Sequence, residues 1–173
     1  MQKDSVEPDP AFYLKEGHNI ASQTFVALST ELQNAMKSGG PNKAIPYCNI
    51  NALEITDSLS ALHSCEIRRT SLKYRNPKNA PDTTEIRILK LYETTAQHNQ
   101  ALNPIVEFGP NSIHYYQPIL TGKICLNCHG TVGMEIQSEH DSLIRSLYPF
   151  DKAKGYKEGE LRGMWSLTFS PNQ

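Results

Sequence analysis

Residues 123–130 read Lys123-Ile124-Cys125-Leu126-Asn127-Cys128-His129-Gly130, so two cysteines stand three positions apart and a histidine directly follows the second. This spacing is the attachment signature of a c-type haem. On one helical turn both thiols face the same way, so Cys125 and Cys128 can each bond to one vinyl group of the porphyrin. His129 is then held at the iron as an axial ligand. The segment predicts one covalently attached haem c.

Two other interpretations of the cysteine pair are weaker. A structural zinc site needs four tetrahedral ligands, usually with a second close pair of Cys or His, and Cys48 and Cys65 do not form such a pair with each other or with a histidine at zinc-finger spacing. A thioredoxin-like pair opens a helix in a βαβ unit, whereas Gly130 and Gly133 follow the motif here. Haem attachment is therefore preferred over a zinc-binding protein or a redox pair.

Length and charge limit the class of protein. At 173 residues, the chain predicts a flexible N-terminal tail over residues 1–10 and a single haem-binding domain over residues 11–173. A net charge of -1 argues against nucleic acid as a partner, and no apolar run is long enough to cross a bilayer. Covalent haem attachment takes place outside the inner bacterial membrane, so we expect a periplasmic protein, free or tethered as a precursor, whose leader is missing from this chain.

Two amphipathic helices are predicted in the first third of the chain. The first runs from Ala11 to a stop at residues 39–41, Gly-Gly-Pro, and its large apolar residues recur at helical spacing: Phe12, Ile20, Phe25, Leu28, Leu32 and Met36. The second runs from about residue 42 to about residue 62, and its apolar positions include Cys48. Cys48 therefore faces inward, either as a small buried side chain or as the axial thiolate opposite His129.

The remaining elements are short. A strand is predicted just after residue 66, and a capping box at Asp82 and Glu85 opens a helix that ends near residue 99. Residues 104–108 and 112–119 form a hairpin around a Gly-Pro-Asn turn. A short helix over residues 137–147 and a strand over residues 161–169 complete the domain.

Several residues near these elements are candidates for cofactor contacts. Arg68, Arg69 and Arg75 lie in a basic run that is either a solvated strand edge or the counter-charge for haem propionates, since arginine pairs well with carboxylates. Tyr115 is either a core residue or a side chain that stacks on the porphyrin, as is its neighbour Tyr116. Met134 and Met164 are alternative axial ligands, although packing explains both equally well.

Four segments carry a resemblance to a known family: residues 44–49, 68–82, 124–130 and 155–163. Over nearly its whole length the chain resembles the monohaem c-type cytochromes with a PAS-like fold, a bacterial family long catalogued as a domain of unknown function. Its members occur alone and as sensor domains of histidine kinases and chemoreceptors. The resemblance implies an α+β fold, with a central antiparallel sheet flanked by helices and a long N-terminal helix.

The resemblance also implies an iron ligand pair. In the family the iron takes a histidine from the attachment motif and a cysteine from the early helix, which correspond to His129 and Cys48. Cys65 is not part of the family pattern, so a disulfide between Cys48 and Cys65 stays open as an alternative that would remove the ligand.

These features predict a haem-based function without enzymatic activity. A thiolate favours ferric iron, so we expect a redox or diatomic-gas sensor in which reduction releases Cys48, opens a position for CO or NO, and signals through a partner. The alternative is an electron-transfer cytochrome with fixed ligands and a redox partner protein. A peroxidase needs a distal acid-base residue, and nothing in the sequence places His63, His98 or His114 in that role.

Overall fold

A helix of 54 residues, α1 (Pro10–His63), opens the part of the chain described in this computed structural model, which covers residues 9–170. The Asp9 side chain caps the helix by accepting a hydrogen bond from the Ala11 amide at 2.9 Å. The predicted break is confirmed: the backbone is non-helical at Gly39 and Gly40, and Gly40 has φ 64° and ψ -158°, a conformation that glycine alone adopts readily. Most of the predicted tail, residues 1–8, lies outside the described residues.

Four antiparallel strands form the sheet behind α1. They are β1 (Glu66–Thr70), β2 (Ile105–Phe108), β3 (Ile113–Leu120) and β4 (Leu161–Phe169). Their order is β1-β4-β3-β2, with β4 paired to β1 and β3 on either side. The predicted hairpin and the predicted last strand are confirmed.

The first half of α1 covers one face of this sheet, through a different helical stripe from the predicted one. Phe12 and Phe25 are 52% and 56% exposed. The inner stripe consists mainly of smaller residues: Tyr13, Gly17, Ile20, Ala21 and Thr24. Of the predicted apolar residues, Ile20 is buried and Leu28 packs against the core. The prediction is wrong for Phe12 and Phe25, because the helix lies very close to the sheet. A Cβ atom on Gly17 would lie 2.3 Å from Cγ of Tyr115.

The helix α2 (Thr83–Gln97) covers the opposite face of the sheet. Its predicted capping box is confirmed, since Asp82 accepts from the Glu85 amide and Glu85 accepts from the Asp82 amide. Its buried face packs against β3 and β4 in a cluster of five side chains: Ile88, Leu89, Tyr92, Tyr116 and Met164. Helices on both faces of one antiparallel sheet confirm the predicted α+β class.

Two short helices, α3 (Leu126–His129) and α4 (Ser138–Leu147), pack against the second half of α1. Ile45 of α1 lies in a buried cluster with Ile136, Ile144 and Tyr148, and Cys128 packs against that cluster. This packing places the cysteine motif beside the second half of α1. Within residues 9–170, no helix has the length and apolar character needed to cross a membrane.

Candidate functional site

The cysteine motif lies on consecutive helical turns. A 3-10 turn over Lys123–Cys125 leads directly into α3, so Cys125 and Cys128 stand three residues apart on helical backbone. Both side chains are partly accessible to solvent. The two thiols can therefore face the same side of the helix, as predicted, because helical residues three apart share a face.

The hydrogen bonds of His129 determine which ring nitrogen is free. Its Nδ1 atom lies 2.8 Å from the carbonyl oxygen of Ala153. A carbonyl only accepts, so Nδ1 carries the proton and Nε2 carries the lone pair. Burial, followed by the charges of Arg162 and Arg75, lowers the pKa of His129 well below its usual value. The imidazole is therefore neutral, with a free Nε2, which is the state that a metal ligand needs.

Arg75 holds the segment that carries the Ala153 carbonyl. Its guanidinium forms two hydrogen bonds with the Asp151 carboxylate, at 3.1 and 3.2 Å. It also donates to the carbonyl oxygens of Cys128 at 2.6 Å and Ala153 at 3.2 Å. The same arginine thus connects α3, which carries the cysteine motif, to the segment that orients His129.

Cys48 faces this site from α1. It lies one helical turn after Ile45, whose cluster includes Cys128. Burial raises the pKa of the Cys48 thiol, and the positive charges of Arg69 and Arg75 oppose that shift. The pKa of the Cys128 thiol is also raised, by burial and in part by the charge of Cys48. The predicted inward orientation of Cys48 is confirmed, and it points toward the motif.

Cys65 is far from Cys48. Cys48 lies within the second half of α1 and Cys65 lies two residues beyond its end, so the helical rise of 1.5 Å per residue over residues 48–63 separates them by roughly 22 Å. A disulfide needs Cα atoms closer than about 7 Å. Cys65 is buried among core residues, and burial together with the charge of Glu16 raises its pKa to about 11. The alternative of a Cys48–Cys65 disulfide is incompatible with the fold.

Positive charge accumulates around the motif. Burial lowers the pKa of Arg69, and the charges of Cys48 and Cys125 oppose that shift, so this solvent-exposed side chain lies near the motif. Burial and the charges of Arg69 and Arg75 lower the pKa of Arg162 to about 10. Among residues 9–170, no carboxylate forms an ion pair with Arg69 or Arg162. The region around the motif therefore suits an anionic group.

Two predicted site residues lie elsewhere. Arg68 points to the α2 face of the sheet, where it forms an ion pair with the buried Glu85 at 3.1 Å. Tyr115 is completely buried against Gly17 in the core. The structure thus brings together Cys48, Arg69, Arg75, Cys125, Cys128 and His129, and it does not bring Arg68 or Tyr115 to them. Of the alternative ligands, Met164 is buried beside α2 and Met134 is 76% exposed.

The assembled residues fit an iron porphyrin better than a bare metal ion. Among residues 9–170, no group of three or more His, Cys, Asp or Glu side chains is arranged to hold a metal, so a four-ligand zinc site has no support there. A porphyrin supplies four nitrogen ligands itself and needs only axial donors. The Nε2 atom of His129 and the sulfur of Cys48 are suitable donors of that kind.

The profile of the Tll0287-like family matches residues 12–170 of this chain. The chain belongs to the Tll0287-like family. The cyanobacterial heme protein Tll0287, known from a crystal structure, aligns with a TM-score of 0.68 and 22% identity, over 94% of this chain and 97% of that chain. The profile match confirms the predicted family resemblance, and the structural likeness is consistent with the predicted PAS-like fold. No curated protein matches the chain.

Sequence reasoning missed three contributors to the site of this Tll0287-like protein. The Ala153 carbonyl orients His129, Asp151 fixes Arg75, and Arg162 adds charge beside His129. The only signal for them was the resemblance of residues 155–163, which marked the neighbouring loop without assigning a role. A backbone carbonyl leaves no trace in the residue types, so Ala153 could not have been chosen.

Proposed function

We propose that this chain is a c-type monohaem protein that senses redox state or a diatomic gas, with Cys125 and Cys128 as attachment points and His129 and Cys48 as axial ligands. The observation that carries the proposal is the proximity of these four residues to one another and to several arginines. The family match and the structural likeness to the cyanobacterial heme protein Tll0287 support the same cofactor.

The residues near the motif have separate roles in this proposal. Arg69 and Arg75 are the candidates for pairing with propionates, since they are the members of the predicted arginine set that lie near the motif. His129 presents Nε2 in a fixed tautomer. When bound, the haem supplies an iron that alternates between the ferric and ferrous states. Arg69 and Arg75 also favour the thiolate of Cys48, the form that binds ferric iron.

Sensing follows from the chemistry of Cys48. A Cys48 thiolate would be held less strongly by ferrous iron, and protonation of its Sγ atom would release it. Its release would leave a position that CO or NO could take. Because Cys48 lies on the second half of α1, which packs against α3 and α4, its release would change the contacts between these elements.

Electron transfer is the second candidate function. The observation in its favour is the rigid placement of His129 by Ala153, Arg75 and Asp151. A fixed ligand set keeps reorganisation small, which suits a carrier. In this case Cys48 stays bound in both oxidation states.

A peroxidase function has no comparable support. His114 bonds to Ser112 and Thr168, and His98 lies 2.7 Å from the Thr94 carbonyl. His63 lines a separate cavity of about 200 Å³ beside Phe12 and Phe169. Among residues 9–170, none of these three histidines forms a hydrogen bond with the motif, so they give no support to a peroxidase function.

The proposal is tested by expression together with a cytochrome c maturation system. Intact mass under denaturing conditions should show one added haem, and Cys125→Ala combined with Cys128→Ala should abolish it. Ferric optical and electron paramagnetic resonance spectra should change in Cys48→Ala and stay unchanged in the control Cys65→Ala. A chain without haem would refute the cofactor, and an unchanged Cys48→Ala spectrum would refute the thiolate.

Carbon monoxide separates the two functions. A sensor should bind CO in the ferrous state of the wild type, with a changed ligand set and a change in hydrodynamic radius or helix contacts. A carrier with fixed ligands should not bind CO, whereas Cys48→Ala, which has an open position, should bind it in either case.

A further inference from the structure

We propose that a basic patch formed by Lys73, Lys152 and Arg162 is the docking site for an acidic one-electron redox protein. This inference rests on the proposed haem function and names the partner of that site. One electron passes between the partner and the iron in either direction, and no atom is transferred.

Two cations of the patch lie on one tyrosine ring. The Nζ atom of Lys73 is 4.3 Å from the centre of the Tyr156 ring, and the guanidinium carbon of Arg162 is 5.2 Å from it. Lys73 also donates to the Lys154 carbonyl at 2.8 Å, and Arg162 donates to the Lys73 carbonyl at 3.2 Å. These contacts hold both charges in place, so little side-chain entropy remains to be lost when a partner binds.

The third cation lies on a second tyrosine next to them. The Nζ atom of Lys152 is 4.4 Å from the centre of the Tyr74 ring and 3.1 Å from its hydroxyl oxygen. The Lys152 amide also donates to the Tyr74 carbonyl at 3.0 Å. Tyr74 directly follows Lys73 in sequence, so the backbone contact between Lys152 and Tyr74 brings the third cation close to the backbone that carries the first.

The charges of the patch are not neutralised by carboxylates. Within residues 9–170, none of its three cations forms an ion pair, whereas the neighbouring Arg75 and Lys154 are paired with Asp151 and Asp141. Glu158 and Glu160 lie on the adjacent loop, where Glu160 accepts from the Lys157 amide. The whole chain has a net charge of -1, so this local excess of positive charge is a specific feature of one surface.

The patch lies next to the predicted iron ligand. The ring of Tyr156 meets the ring of His129 edge to face, with 6.4 Å between their centres. The Tyr156 amide also donates to the His129 carbonyl at 2.9 Å. A protein that binds the patch is therefore separated from the iron ligand by one side chain, which keeps the path for an electron short.

An acidic protein fits this surface better than a nucleic acid. The binding of nucleic-acid phosphates needs a wide basic face. The patch has only three cations, and the chain is slightly acidic overall. A small patch of fixed charge instead steers an oppositely charged protein and raises its association rate, most strongly at low ionic strength.

The test compares two double variants with the same net charge in the haem-loaded protein. Lys73→Glu with Lys152→Glu reverses charge in the patch. Lys37→Glu with Lys90→Glu reverses charge at exposed positions on α1 and α2. Stopped-flow rates are measured with the anionic probe ferrocyanide or ferricyanide and with the cationic probe hexaammineruthenium, at about 10 mM and 500 mM salt.

At low salt the patch variant should react about tenfold more slowly with the anionic probe than the control variant does, and faster with the cationic probe. High salt should remove both differences, because it shortens the Debye length from about 30 Å to a few ångströms. Equal rates for the two variants at low salt would overturn the proposal. Such a result would leave the haem function intact, since the haem content of both variants is measured separately.

A second readout does not depend on haem. Binding of a poly-glutamate peptide, followed by NMR shifts, should perturb the amides of residues 73–74, 152 and 156 in the wild type and be lost in the patch variant. Binding that is kept in the patch variant would count against the proposal. Preferential binding of the patch to vesicles containing anionic lipid, with no response to poly-glutamate, would replace the acidic protein with a membrane surface and also overturn it.

Discussion

The Nδ1 atom of His129 lies 2.8 Å from the carbonyl oxygen of Ala153, twenty-four residues further along the chain. The carbonyl belongs to a short segment that Asp151 and Arg75 fix through charged hydrogen bonds. The tautomer and orientation of the imidazole are therefore determined by contacts outside the C-x-x-C-H motif. The motif supplies the histidine proposed as a ligand, and the later segment orients its ring.

Replacing Asp151 should destabilise the segment that orients His129. The carboxylate is 3% exposed and binds the 12% exposed side chain of Arg75. Asp151→Asn keeps an oxygen for the Ala153 amide but removes the charge, which leaves Arg75 buried without its counter-ion. The expected loss in the free energy of unfolding is about 3 kcal/mol, measured by urea denaturation.

The matched control for this variant is Glu107→Gln. Glu107 pairs with Arg87, but the two side chains are 33% and 56% exposed. Exposed pairs of this kind contribute less than about 1 kcal/mol. Equal losses in the two variants would mean that Asp151 has no special part in holding the His129 segment.

The separation of Cys48 from Cys65 predicts two free thiols in the mature protein. After unfolding without reductant, Cys48 and Cys65 should each react with maleimide, while the proposed haem attachment would block Cys125 and Cys128 as thioethers. Peptide mapping by mass spectrometry identifies the labelled residues. A disulfide-linked peptide that joins residues 48 and 65 would show that the helical segment between them is not formed.

Gly17 is predicted to be intolerant of any side chain. A Cβ atom there would lie between 2.3 and 2.6 Å from three atoms of the Tyr115 ring. Gly17→Ala gains helix propensity of about 1 kcal/mol, but the overpacking of a closely packed core outweighs it. We expect a net loss of about 2 kcal/mol in the free energy of unfolding. Asn19→Ala, at an exposed position on the same helix, should change it by less than about 0.5 kcal/mol.

The elements of this fold were predictable where local chemistry determines them. The capping box of Asp82 and Glu85 marks the start of α2, and the turn at residues 109–111 marks the β2–β3 hairpin. The buried face of α1 was not predictable in the same way. Its contact with the sheet depends on Gly17, whose importance comes from Tyr115, nearly a hundred residues later in the chain.

Which of the arginines lies at the site could not be predicted from the local sequence either. Adjacent residues of a strand point to opposite faces, so Arg68 and Arg69 cannot both reach the motif. The choice between them depends on which face of the sheet carries the second half of α1, and that is a tertiary contact. The C-x-x-C-H motif, by contrast, could be recognised from the sequence because its chemistry is local and its spacing matches one helical turn.

Acid should weaken the support that α4 receives from Asp141. The Asp141 carboxylate is 3% exposed and accepts hydrogen bonds from Arg145 and Lys154, and these two partners lower its pKa. Since the folded pKa lies below the unfolded value of about 3.9, this stabilisation is fully present above about pH 4 and is lost as the pH falls through the folded pKa. Asp141→Asn should therefore reduce the free energy of unfolding by about 2 kcal/mol at pH 7, and the difference from wild type should shrink at pH 2.5 to 3. Urea denaturation at both pH values measures it. A difference that is equal at the two pH values would show that the variant acts through packing, not through the lost charge.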